Sequence, residues 1–183
     1  YIASQIVVAV QGLVTRRTSP TEPVIIGIGK LNAGTTYNAV AAFAEMEGTT
    51  RTISQESRDR VRAQVSETAQ SIATLYGGTA EVEWTDFAAA LVNDPQVCEE
   101  AARVVDELLG AGHVVTDREL SLSGDNFAEF ELYKPGAYAY LGTGNPDLPH
   151  TMITNHNGDF DVDENALVTG AGLYVGYTVA RLG

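Results

Sequence analysis

The stretch "TNHNGDFDVDENAL" places His156, one of only three histidines in 183 residues, just ahead of Asp159, Asp161, Asp163 and Glu164. Imidazole and carboxylates in one polar loop are the side chains that hold metal ions. A calcium loop of the EF-hand kind needs acids at its first, third and fifth positions, Gly at the sixth and Glu at the twelfth. Counting from Asp159, Asp161 and Asp163 fit, but Glu164 and Gly170 fall where Gly and Glu are required. The calcium reading fails. A catalytic zinc usually needs three protein ligands, and His150 and His113 form no short-spaced pair with His156. Composition therefore leaves two readings of His156 open: one ligand of a metal whose other ligands lie elsewhere, or a loop histidine bonded to polar neighbours.

Other candidate chemistries fare worse. "GIGKLNAG" carries Gly27 and Gly29 but has Asn32 where a phosphate-cradling loop would need a third glycine. Cys98, the single cysteine, sits beside Glu99 and Glu100, which disfavour a thiolate, so it reads as a buried structural residue. One cysteine also rules out a disulfide within the chain and suits a reducing, cytoplasmic setting. With 24 acids against 11 bases the net charge is −13, a field that repels nucleic acid and anionic membranes as partners. No apolar run is long enough to cross a bilayer.

The elements that must position these residues follow from periodicity. Ile2, Ile6, Val7, Val10, Leu13 and Val14 recur at helical spacing. "VIIGIGKLNAG" is β-branched and reads as a strand, with "YNAVAAFAEMEGTTRT" as the second arm of a hairpin. A long helix opens at Ser54 and ends at Gly77, with Val61, Val65, Ala69, Ile72 and Ala73 on one face. "TAEVEWTDF" alternates as a strand. That order, helix, strand, strand, helix, strand, is a split β-α-β motif lacking its first strand, and it predicts a chain that starts late within a fold. After a boundary near Ala88 to Asn93 come a helix from Asp94 to Leu109, a strand at "GHVVTDREL", a short helix in "GDNFAEFELY" and a buried strand at "PGAYAYLGTG". Asp161 and Glu164 form a capping box for a final helix, whose Gly170, Gly172 and Gly176 predict close packing against a sheet.

Seven pieces, in order, resemble the later portion of the zinc amidohydrolases that include aminoacylase, hippurate hydrolase and the indole-acetyl-amino-acid hydrolases. They are "IASQIVVAVQGLVTRR", "IGKLNAGTTYNAV", "GTTRT", "ALVNDPQ", "GDNFAEF", "PGAYAYLGTGN" and "HNGDFDVDENAL". The resemblance implies an α/β protein: an incomplete ferredoxin-like lid and dimerisation domain over residues 1–88, then the C-terminal part of a zinc-peptidase-like catalytic domain over 89–183. It implies that His156 is the last ligand of a two-metal centre of zinc, or of manganese, cobalt or nickel. It also implies that Asn38 and Arg51, thirteen residues apart, hold the carboxylate of an N-acyl amino acid or small peptide, and that the protein pairs as a homodimer through the lid. Two departures stand out: "NAVAAF" lacks the family's proline, and Asp125, Asn126 and Phe127 replace Glu-Asp-Phe. The resemblance places the general-base glutamate and the other ligands before Tyr1, so no catalytic residue is assigned within this chain, and these residues alone are expected not to hydrolyse amides. The rival expectations are a non-catalytic fragment that self-associates or binds a partner, and a site completed by a separate polypeptide.

Overall fold

A computed structural model describes all 183 residues, Tyr1–Gly183. Seven elements follow in chain order: α1 (Ile2–Arg16), β1 (Ile25–Ala33), β2 (Ala44–Arg51), α2 (Gln55–Leu75), α3 (Pro95–Leu109), α4 (Ala128–Glu131) and α5 (Asn165–Leu182), with a 3₁₀ turn at Pro149–Met152 before the last. The chain divides into two units. One comprises Tyr1–Val92 and Ser121–Leu132, the other Asn93–Leu120 and Tyr133–Gly183.

In the first unit the predicted apolar faces meet. Ile6, Val10 and Leu13 of α1 are buried with Val24, Ile26 and the α2 residues Val61 and Ala69, while Val65 and Ile72 pack against that cluster. Ser54 caps α2 by accepting from the Ser57 N–H at 3.1 Å. Gly77, at φ 75°, takes the left-handed turn that ends it, and the next N–H returns to the Ala73 carbonyl at 2.8 Å. β1 and β2 pair antiparallel from Ile25 opposite Arg51 to Ala33 opposite Ala44, with a bulge between Ile28 and Lys30. Opposite that bulge, a Cβ at Gly48 would stand 2.3 Å from the Gly27 carbonyl oxygen, so only glycine fits.

The expected strand at residues 79–87 does not form; the sheet has two strands. Alternation sets which side chains face inward, but a strand also needs a neighbour to take its backbone hydrogen bonds. Here the segment is held by its side chains. The Trp84 indole donates to Ser66 Oγ at 3.0 Å, and Arg58 and Arg62 reach Asp86 at 2.7 and 3.0 Å.

Glu22, ahead of β1, accepts from Arg60. The Ser57 hydroxyl first, then the Arg60 guanidinium, holds its carboxyl below the usual glutamate range. A lowered folded-state pKa gives a contribution present above the unfolded value, near 4.3, and lost as pH falls through the lowered one. Glu22→Gln removes it. Thermal melts of parent and variant at a series of pH values should differ most at neutral pH and converge in acid; a constant gap would refute this role.

In the second unit Asp94 caps α3, accepting from the Val97 N–H at 3.0 Å with Pro95 as the first helical residue. The predicted packing of α5 against a sheet is corrected to packing against a helix. A Cβ at Gly172 would lie 3.1 Å from Leu108 and one at Gly176 2.9 Å from Val104, both on α3, while one at Gly170 would lie 3.0 Å from Leu141. Glu100 of α3 accepts both 2.7 Å bonds from Arg181 and a third from Tyr177. No strand forms at 112–120 or 135–144. In the latter, backbone groups that a sheet would use are taken locally: Asn93 bonds both the N–H and the carbonyl of Tyr138, at 2.9 and 3.0 Å, and the Asp94 N–H bonds the Gly136 carbonyl.

Candidate metal and substrate-binding residues

The loop that carries His156 is tied at its base. The Asp163 N–H bonds the Thr143 carbonyl at 2.9 Å, and the Asn145 amide donates to Asp163 Oδ2 at 2.7 Å. Asp163 Oδ1 accepts from the backbone and side-chain amides of Asn165 at 3.0 and 2.9 Å. Asn145 first, then Asn165, holds the Asp163 carboxyl below the usual aspartate range. Deeper in the loop, the buried Thr151 hydroxyl bonds the Leu148 carbonyl at 2.8 Å and receives the Asn145 N–H at 2.9 Å. The expected capping box is thus corrected. Glu164 makes no side-chain cap and Asp161 bonds only the adjacent Val162 N–H among backbone groups, so the residue that caps the start of α5 is Asp163. Periodicity gave no hint of Asn145 or Thr151, although Asn beside Pro146 and Thr two residues after Pro149 are residue types that fold tight turns.

His156 stands at the exposed end of this loop with φ 64°, the only non-glycine residue in the left-handed region. Its imidazole enters no hydrogen bond or ion pair within the chain. His150 Nε2 lies 3.7 Å from Asp161 Oδ2. Nowhere do three or more His, Cys, Asp or Glu side chains gather as a metal site. The donor chemistry therefore fits one ligand, an unbonded imidazole, and not a complete coordination sphere.

Arg51 ends β2, exposed, and its Nη1 donates to the Leu122 carbonyl at 2.8 Å, which steadies the guanidinium and leaves its other donors open. Asn38 lies in the loop that joins β1 to β2, where its Oδ1 accepts from Thr36 at 2.9 Å. All of β2 lies between the two residues, seven steps from Ala44 to Arg51, or about 23 Å at the strand rise. That strand separates them in sequence, and neither side chain bonds the other. Cys98 is half-buried and unbonded to another cysteine. Asp125 receives the Phe127 N–H at 2.8 Å, opening α4, whose Glu129 and Glu131 bond the Ala89 and Val92 N–H groups.

The sequence pattern of peptidase family M20/M25/M40 fits residues 5–179. The chain belongs to that family. Among M20 relatives, thermostable carboxypeptidase 1 of Saccharolobus solfataricus is 32% identical over 172 residues, covering 93% of this chain and 42% of the relative. N-acetylcysteine deacetylase of Bacillus subtilis is 30% identical over 169 residues, covering 92% of this chain and 42% of the relative. The crystal structure of a dinuclear metal-binding M20 peptidase from Bacillus subtilis superposes with a TM-score of 0.79 at 27% identity, over 98% of this chain and 45% of that one. The chain thus spans less than half the length of these relatives. The non-catalytic reading gains nothing from these hydrolase relatives. No helix is long and apolar enough to cross a membrane.

Proposed function

We propose that these residues serve a metal-dependent amide hydrolase of the aminoacylase and hippurate hydrolase type, which releases amino acids from N-acyl amino acids or small peptides in the cytoplasm. The observation that carries this reading is the family fit over residues 5–179, with relatives named for removing C-terminal residues and for removing an acetyl group. Both names describe cleavage of an amide next to an amino acid that keeps its carboxylate.

Roles follow from side-chain chemistry. Residues 1–88 act as the lid and 89–183 as the C-terminal part of the catalytic domain. Two divalent ions, zinc or else manganese, cobalt or nickel, supply a hydrolase with a grip on the amide oxygen and a more acidic water. His156 offers one imidazole toward them. Arg51 pairs the substrate carboxylate through its planar fork, and in a chain of net charge −13 such a cation is needed to admit an anion. Asn38 adds an amide donor. In a homodimer joined through the lid, a carboxylate held by both can take Asn38 from one copy and Arg51 from another.

The test is a panel of N-acetyl amino acids, dipeptides and their carboxamide counterparts, assayed in the protein that carries these residues with and without added zinc. Metal-dependent release from the free acids, and much slower release from the carboxamides, is expected. Equal rates on both would refute the carboxylate clamp. The 183 residues alone, lacking any three-ligand cluster, are expected to give no zinc-dependent turnover.

A further inference from the structure

We propose that Asn145 and Asp163 form a clasp whose task is to position the His156 imidazole; this rests on the reading of His156 as a metal ligand. The geometry gives the pair one orientation. Asn145 Oδ1 is committed to the Asp147 N–H at 3.0 Å, so the amide cannot flip and its NH₂ must face Asp163. Asp163 in turn is an acceptor only, with one oxygen committed to Asn165 and the other to Asn145. The bond closes the base of the loop beside the backbone link from Asp163 to Thr143, and Asn145 extends the tie inward to buried Thr151. Within residues 152–162 the structure shows only short-range bonds, such as the Asp159 N–H to Asn157 Oδ1, and across the loop a single long contact, His150 Nε2 to Asp161 Oδ2 at 3.7 Å. With so little else to hold it, the left-handed backbone at His156 depends on where the two ends of the loop are fixed.

The clasp can be reversed without changing its composition. In the Asn145→Asp, Asp163→Asn double variant, a carboxylate at 145 accepts from Asp147 and from the new amide at 163, whose own oxygen accepts from Asn165. Each single variant instead sets donor against donor or carboxylate against carboxylate. Two readouts are needed: amide hydrogen exchange of residues 146–162, and cobalt(II) affinity measured by competition with a chelator in the protein that carries these residues. Each single variant should speed exchange and weaken cobalt binding roughly tenfold or more, the range for residues that orient a ligand, and the double variant should restore both.

Unchanged exchange in both single variants, or a double variant as loose as either, would overturn the clasp. Exchange restored while cobalt affinity ignores all three variants would overturn its positioning role. His156→Asn serves as the control: if it leaves cobalt affinity intact, the ligand reading of His156 has failed, and that failure is separate from the exchange result. Should either single variant not fold, the double variant must still equal the parent in both readouts, and a shortfall in either counts against the proposal.

Discussion

Replacing His156 by Asn should lower metal occupancy and cut amide hydrolysis by roughly a hundredfold or more, beyond what loss of an outer partner costs. Asn is the informative substitution because the backbone there has φ 64°. Asn tolerates the left-handed region better than other non-glycine residues, whereas Ala would add strain of about 1–2 kcal/mol and confuse a lost ligand with a disturbed loop. The side chain is exposed and makes no bond within the chain, so the melting temperature of the metal-free protein should barely move. Metal content by elemental analysis, turnover and a thermal melt on one preparation separate the possibilities. Full metal content and full turnover in the variant would remove His156 from the site.

The second large effect is expected at Arg51. Arg51→Lys keeps the charge but replaces a flat fork with a single ammonium. A charge-assisted hydrogen bond is worth about 1.5–3 kcal/mol, so losing one prong should raise KM for carboxylate substrates by roughly tenfold to a hundredfold. For the carboxamide analogues KM should stay put, and kcat should change far less. Arg51 also ties the end of β2 to the Leu122 carbonyl, so a purely architectural role predicts lower stability and an equal loss on every substrate. The split between acid and carboxamide decides between the two.

The helices and the hairpin were legible because their signals are local. Ser54 and Asp94 cap from their own side chains, Gly77 turns left-handed, and the apolar residues of α1 and α2 repeat at helical spacing. The three unformed strands were misread because alternation along 79–87, 112–120 or 135–144 says nothing about a pairing partner. The glycines of α5 signalled close approach correctly but not its object, since a small residue admits a helix as readily as a sheet. Of the candidate site, residue type singles out His156 alone, and Asn38 and Arg51 enter only through the family resemblance. The loop ties of Asn145, Thr151 and Asp163 join residues up to eighteen apart through geometry that no periodicity encodes.

The seam between α3 and α5 has a consequence in time. Three glycines, each costing about 1 kcal/mol against alanine, leave residues 165–182 poor at coiling unaided, so that segment takes shape against Val104 and Leu108. α3 ends at Leu109 and α5 at Leu182, and a ribosome adding about 5–20 residues per second takes roughly 4–15 s to travel between them. Throughout that interval the nascent chain carries a greasy ridge with its cover still unmade. Chaperone dependence during synthesis should therefore include α3 until α5 has been made.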